Sequence, residues 1–418
     1  MALRHNDLAR NFRTEIAEET SFGTLPSGSW PETPDVIQLV HDDLHIDGLE
    51  HELLDVPDAH VRRTGTVDGV LGQKRATTWR GSVHLKAIPT ASQLTASGSS
   101  AQLSHRILYR HMFGTETVAA GSTVQTSSTT TSVVVGSGHG SRFIRGSWVL
   151  VEVAGELEPT MVTAISTDTL TVAPALSATP TTSGVVRQGY NYAPKTLTAK
   201  TGSLSLKKSF NSAVQACLLG ACFTGKFNFP EFGKLMTLSL DGKAADWTAP
   251  GALSYTATAA SDDMGEAFAY KDSDLLFGDP STLSRSTDRC PFEALSIDLA
   301  QSQEPIMDGT AASQSQRGWQ DVGGRPYPAM GMLKTSVDVT RYTDYSGRTD
   351  FRLVHWVKKG SGTTASFLLW DLPRIYLKMP KLTRIGSRLG IDSAFHALED
   401  TLGTTTDHDV AALRFVMF

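Results

Sequence analysis

Five residues between positions 41 and 51 have the types and spacing that could hold a metal ion. In His41-Asp42-Asp43-Leu44-His45-Ile46-Asp47, followed by His51, an extended backbone puts His41, Asp43, His45 and Asp47 on one face, because side chains alternate along a strand. Imidazole and carboxylate groups so placed suit zinc or a related divalent ion. Leu44 and Ile46 fall on the other face. A polar side opposite an apolar one is also what any half-buried strand presents. The strand reading is adopted, and no metal is expected.

Other patterns that could carry chemistry are weaker. Gly136-Ser137-Gly138-His139-Gly140 lacks the Lys-Ser/Thr pair and the following helix of a phosphate loop, so a hairpin turn is expected there. No Gly-x-Ser-x-Gly nucleophile elbow occurs,. Glu18-Glu19, Asp42-Asp43 and Asp262-Asp263 are adjacent in the chain. Neighbours on a strand point to opposite faces and make poor acid–base pairs, so solvated loops explain them better. The chain is therefore not expected to be an enzyme or to need a cofactor. Cys217 and Cys222 lie in the apolar run Val214–Phe223, and with Cys290 they make an odd count. Buried, reduced thiols are the expectation.

The elements that position these residues read as all-β. A length of 418 residues exceeds one ordinary core and implies two or three domains. Charged residues are only 19% of the chain while hydrophobic ones reach 40%, and several segments alternate with period two, as many-stranded proteins do. A formal net charge of −5 argues against a sequence-independent nucleic-acid binder, which needs a dense basic face. No apolar run follows the charges of Met1–Asp7, and no window approaches eighteen consecutive apolar residues. Neither a signal peptide nor a membrane span is expected.

Three segments are expected. Residues 1–114 form a first β unit with an N-terminal arm. Its clearest strand is Thr77–Ala87, with Trp79, Val83 and Leu85 inward, and Ser100 would cap a helix over 101–112 that stops at Gly114,. Residues 115–193 change composition and read as a small inserted β-barrel or sandwich. Such an insertion is expected where few contacts cross, so that its removal would be tolerated. Residues 194–418 return to long alternating strands, broken by a Gln-rich loop over 301–320 and ending in the apolar strand Ala411–Phe418. An apolar terminal strand of this kind has to be tied into a sheet. Each flanking segment has a long alternating strand and a closing glycine, Gly114 or Gly360, which reads as duplication of one β-rich unit.

The order of these features resembles the tail tube proteins of bacteriophages with long, non-contractile tails. Glu18-Glu19-Thr20-Ser21-Phe22-Gly23-Thr24-Leu25-Pro26 follows a strand, as the acid-acid-Thr-x-aromatic-Gly-Thr arm of that family does. Trp79-Arg80-Gly81-Ser82-Val83-His84-Leu85 looks like its Gly-Ser strand before a helix, and Cys217–Leu240 like its two strands split by a glycine turn. Leu372-Pro373-Arg374-Ile375-Tyr376-Leu377 is similar to its C-terminal Leu-Pro strand. The inserted segment and the Gln-rich loop depart from the pattern.

The resemblance implies β-barrels or sandwiches with a flanking helix, oligomerised into rings that stack as a hollow conduit for DNA. On the duplication reading the rings are trimeric, and without it hexameric. Partners implied are further copies of the chain, tail terminator and tail-tip proteins, and a tape measure protein in the lumen. DNA would pass without specific binding and no membrane would be involved. The chain would be assembled in the host cytoplasm and reside in the virion tail. Glu18, Glu19, Thr20, Phe22 and Gly23 would serve as a ring-stacking arm, whose deletion should spare the fold. The cations Lys358, Lys359, Lys378, Lys381, Arg384 and Arg388 suit either salt bridges to an acidic arm of the next ring or strand edges that resist wrong pairing. A tail-tip adaptor ring is the neighbouring alternative. A carbohydrate-binding β-sandwich is the alternative from another class.

Overall fold

The computed structural model describes residues 12–19, 21–23, 35–37, 45–46, 51–55, 69–74, 77–88, 104–117, 120–194, 203–210, 213–230, 233–248, 265–299, 303–307, 316–321, 329–336, 347, 350–378, 381–385, 388–400 and 411–418. Strands dominate the described residues and the α-helix Ser104–Phe113 accompanies them, so the protein is all-β with a flanking helix.

Eighteen strands share one hydrogen-bonded network. Its spine is the seventeen-residue strand Ala213–Phe229. The first half of that strand pairs with Leu204–Phe210, which pairs in turn with Phe12–Glu18. The second half lies between Thr237–Ala244 and Phe292–Asp298. From it an antiparallel sheet of eight strands extends in the order His45–Ile46, Thr77–His84, Thr237–Ala244, Ala213–Phe229, Phe292–Asp298, Met330–Ser336, Arg388–Leu398 and Lys381–Ile385. Period-two alternation gives the sheet its two faces. Trp79, Leu238, Phe227, Ile297, Leu333 and Phe395 are buried, while Arg80, Ser239, Lys226, Ser296 and Met332 face outward.

The helix fills the hollow of this half-barrel. Its Tyr109 and Phe113 rings stand 4.6 and 5.7 Å from Phe415, and both approach Tyr192 and Phe227. The Arg106 and Arg110 stripe stays partly open, and both cations are paired, with Glu116 and Glu18. Gly225 is what lets the helix seat: a Cβ there would lie 2.1 Å from the Met112 sulfur. Within the described span Ser104–Phe113, Ile107, Leu108 and Met112 are buried as the periodicity requires, and Gly114 ends the helix at φ +81°. Ser100 and Leu103 lie outside the described residues.

The C-terminal strand Arg414–Met417 is held on both edges, by Leu368–Asp371 and by Tyr190–Tyr192. The expected strand at Leu372–Leu377 is the second half of a longer one, Ser366–Leu377. The ladder slips register between Phe351 and Leu353, opposite the proline, and such an irregularity is where a residue without an N–H is tolerated.

Residues 120–188 carry a separate six-stranded sheet in the order Ala120–Thr123, Val185–Gln188, Trp148–Val153, Glu156–Ser166, Thr169–Ala173, Ser132–Val134. A bridge between Val124 and Val135 joins its two outer strands, so the sheet closes on itself as a barrel around Val133, Val149, Val162 and Val186. The chain leaves the trunk through Gly114–Thr117 and returns through Tyr190–Pro194, two strands paired with each other.

Several local expectations are corrected. The 301–320 loop contains a two-stranded hairpin, Gln303–Met307 with Gln316–Asp321, because Trp319 supplies it with a buried anchor. Gly136–Gly140 is not a hairpin turn: the strands it connects, Ser132–Val134 and Trp148–Val153, are not neighbours, and a 3-10 turn at Gly140–Arg142 spans between them. The barrel is not a lightly attached decoration either. Its Trp148, Leu150, Leu157 and Met161 share an apolar cluster with Leu276, Val354, Leu369 and Val416 of the trunk.

Candidate functional site

The N-terminal arm begins as a sheet strand. In Phe12–Glu18 the partners of Glu15, Ile16 and Glu18 are Lys207, Leu206 and Leu204. Ile16 enters the main core. Glu15 and Lys207 are both buried and pair at 2.5 Å, so that each charge depends on the other for its neutralisation. Glu18 turns outward to Arg110 of the helix at 2.5 Å.

Glu19 is the pivot of the arm. One carboxylate oxygen accepts from the Gly220 N–H at 2.8 Å and the Ser205 hydroxyl at 2.7 Å. The other accepts from the Gly23 N–H at 2.8 Å and from the Ser203 hydroxyl. An ionised carboxylate is acceptor-only, and four donors on two oxygens fix it firmly. The Glu19–Gly23 bond closes the turn that Gly23 makes at φ +68°. Phe22 then lies against Gly220. Thr20 lies outside the described residues.

Gly220 is where the long strand passes from one set of partners to another: Ala221 still faces Leu204, and Cys222 already faces Lys243. Its φ of +59° suits glycine,. Its carbonyl accepts the Trp319 indole N–H at 2.7 Å. The arm and the 303–321 hairpin therefore converge on one residue. Nearby, Cys217 is buried and its thiol is pushed up to about 12 by that burial, which makes it an inert packing group.

A second focus joins barrel to trunk. Asp371 accepts from Arg352 at 3.0 and 2.9 Å, from Arg414 at 3.0 Å and from the Trp148 indole of the barrel at 2.9 Å. Burial alone would raise this carboxyl, but the two guanidiniums outweigh it and hold it below its ordinary value,. Arg414 also pairs with Asp400 at 2.5 Å. At the neck, Glu116 takes both Arg106 nitrogens at 2.8 Å and the Tyr192 hydroxyl at 2.8 Å.

Of the metal-like cluster, His45 is exposed opposite Arg80, His51 lies in a strand, and His41, Asp43 and Asp47 lie outside the described residues. No metal-binding group of three His, Cys, Asp or Glu residues occurs among the described residues. Ser122, His139 and Asp168 do come together, with Ser122 Oγ 2.9 Å from His139 Nδ1. The serine is buried and accepts the Gly136 N–H, and Asp168 accepts the N–H groups of Gly138 and Gly140. These bonds lock a turn and present no exposed nucleophile. Lys358 pairs with Glu156 of the barrel and Lys359 with Glu266. Lys378, Lys381 and Arg384 lie at the surface, Lys381 opposite Asp392. Among the described residues no helix is long and apolar enough to cross a membrane.

The sequence signalled Glu19 and Gly23 through the arm. It gave no sign of Gly220, Trp319 or Asp371 as anchors, since each acts through partners far away in the chain. No protein-family model matches this chain, and comparison with curated proteins finds no match.

Proposed function

We propose that this chain is a structural ring-forming subunit, the major tail tube protein of a bacteriophage with a long, non-contractile tail. The observation that carries the reading is the outer face of the eight-stranded sheet. Its other face is committed to the core, while this one is solvent-facing and charge-balanced strand by strand. Arg80 stands opposite Asp241, Lys226 opposite Asp298 and Lys334 opposite Asp392. A wall so neutralised offers DNA phosphates little net positive charge to hold them, which is what a conduit requires.

The sheet's ends support the same reading. His45–Ile46 and Lys381–Ile385 are short strands, each paired on one edge among the described residues. Open edges invite a neighbour's strand, and a head-to-tail contact that closes gives a ring. The arm and the 303–321 hairpin, fixed together at Gly220, then serve ring stacking. The tape measure protein would occupy the lumen, with terminator and tail-tip proteins at the ends. No catalytic role belongs to this function.

Negative-stain electron microscopy of the concentrated protein tests it. Hollow tubes or pored rings are expected, and end-on averages will separate threefold from sixfold symmetry. Single rings that never stack would favour the adaptor reading. Monomers under all salt conditions would overturn the tube reading.

A further inference from the structure

We propose that the 303–321 hairpin of one copy docks onto the overhanging end of the 381–398 hairpin of a second copy, as the contact between successive rings. The inference rests on the ring-forming reading and names the seat of its stacking element. Register places the two hairpins at opposite ends of the same strands. Lys226, Asp298, Met330 and His396 form one row across the sheet. From that row Arg388–Leu398 runs back seven residues to Leu389, about 23 Å of strand,. The long strand leaves the same row in the other direction. After six residues it reaches Gly220, whose carbonyl holds Trp319 of the 303–321 hairpin.

Each end carries a small uncovered apolar surface beside a charge, and the charges are opposite. At the first end Pro305 is paired with the buried Trp319, so Glu304 and Ile306 stand on the hairpin's other face,. Both are exposed, and Ile306 lies opposite Gly318, which has no side chain to cover it. At the second end the last described ladder partner of Arg388–Leu398 in the neighbouring strand is Ser336, opposite Gly390. The hairpin continues past it as Leu389 paired with Arg384. Leu389 is 37% exposed, and Leu382, paired with the buried Ile391, is 53% exposed. Arg384 is exposed beside them, whereas Arg374 pairs with Asp350 and Lys381 stands opposite Asp392. Glu304 and Ile306 are two residues apart, as are Leu382 and Arg384, so one face of each strand can match isoleucine to leucine and carboxylate to guanidinium. The sequence charges agree. Residues 301–321 hold three acids and one arginine, and residues 372–391 hold five lysines and arginines and no acid.

Extended strand keeps the two surfaces apart within one molecule. Between molecules they meet head to tail, and a heterologous contact that does not close builds an open stack. Every ring repeats the contact in each subunit, so a small surface gains by multivalency.

The test is electron microscopy and light scattering of the full chain and its variants, from about 0.05 to about 1 M salt. Arg384→Glu and Glu304→Arg should each leave single rings and raise the concentration needed for tubes by about tenfold or more. Both changes in one chain should restore tubes. Ile306→Ser and Leu389→Ser should also shorten tubes without altering charge, and wild-type tubes should shorten as salt rises. Circular dichroism checks that each variant is folded. Should Arg384→Glu unfold, Glu304→Arg and Ile306→Ser on the other hairpin carry the test. Tubes as long from these variants as from the wild type would overturn this contact and leave the tube reading intact. Variants that lose rings along with tubes would overturn its place between rings. Failure of the doubly reversed chain to recover would overturn Arg384 as the partner of Glu304. A wild type that never assembles would remove both the contact and the tube reading.

Discussion

Glu19 and Trp319 hold the two backbone polar groups of one glycine. The carboxylate takes the Gly220 N–H at 2.8 Å and the indole gives its N–H to the Gly220 carbonyl at 2.7 Å. The arm and the hairpin are thereby fixed to the long strand at the point where it changes partners. Neither can shift without disturbing the seat of the other.

Glu19→Gln keeps the shape but loses the charge that strengthens four hydrogen bonds, and it turns acceptor capacity into donor. A loss of roughly 2 kcal/mol or more is expected, read as a lower thermal midpoint and faster proteolysis between residues 20 and 34. This variant is a cleaner probe of stacking than deletion of residues 1–26. That deletion removes the strand Phe12–Glu18 and leaves Lys207 buried without Glu15, so the expectation that it spares the fold does not survive the structure.

Gly220→Ala should cost roughly 1–3 kcal/mol, because a positive φ strains any L side chain. Its Cβ would also meet Phe22 and Ala245 atoms at 2.9 Å. Since both neighbours are side chains, Phe22 should be displaced first. Tryptophan fluorescence should report a changed environment for Trp319 along with the loss of stability.

Asp371→Asn should be far more damaging than Trp148→Phe. The first leaves Arg352 buried beside a neutral group and Arg414 with Asp400 alone, and breaking a buried ion pair costs about 3–5 kcal/mol. The second removes one hydrogen bond, worth about 1 kcal/mol, and leaves a small cavity beside a phenyl ring that keeps part of the packing. Denaturant unfolding of the two variants should rank them in that order. Equal effects would mean that the carboxylate is not the joint's keystone.

His355 makes stability depend on pH. It is fully buried between the rings of Phe229, Phe292 and Trp370, at centroid distances of 4.4, 5.3 and 5.4 Å, and burial lowers its pKa to about 3. The unfolded chain protonates this residue near pH 6.5, so between those values the unfolded state binds the extra proton. Its contribution is therefore full above about pH 6.5 and is lost as pH falls toward 3, by at most about 1.4 kcal/mol per pH unit. His355→Phe should flatten the acid limb of the stability curve. An unchanged limb would assign acid sensitivity to other groups.

Excision of the barrel, with Thr117 joined to Tyr190 by a two-residue turn, should leave the main core folded but weakened. The trunk would expose Leu276, Val354, Leu369, Val416 and Phe418, at roughly 1.5–3 kcal/mol for each large apolar side chain fully uncovered. Lower thermal stability and binding of an apolar dye are the expected readouts. The sequence-based expectation of a harmless removal overlooked this because Trp148, Leu150 and Met161 alternate no differently from residues that face a barrel's own interior.

Legibility in the sequence followed locality. The strand Thr77–His84 lies where the alternation placed one, with Trp79, Val83 and Leu85 buried, because period-two alternation is a local signal. The hairpin around Trp319 was hidden in a polar, Gln-rich stretch, since one buried tryptophan supplies most of its attachment. The candidate site was visible only through its arm. Gly220 sits in the apolar Cys217–Cys222 run, where nothing local distinguishes a strand's change of partners from an ordinary interior glycine.

The pairing of Gly114–Thr117 with Tyr190–Pro194 has a mechanical consequence. Both connections of the barrel leave the trunk side by side, so tension travelling along the trunk crosses the neck between adjacent strands and bypasses the barrel's own ladder. The load the barrel does take enters through its packed face, where Trp148 meets Asp371 and the trunk's apolar cluster.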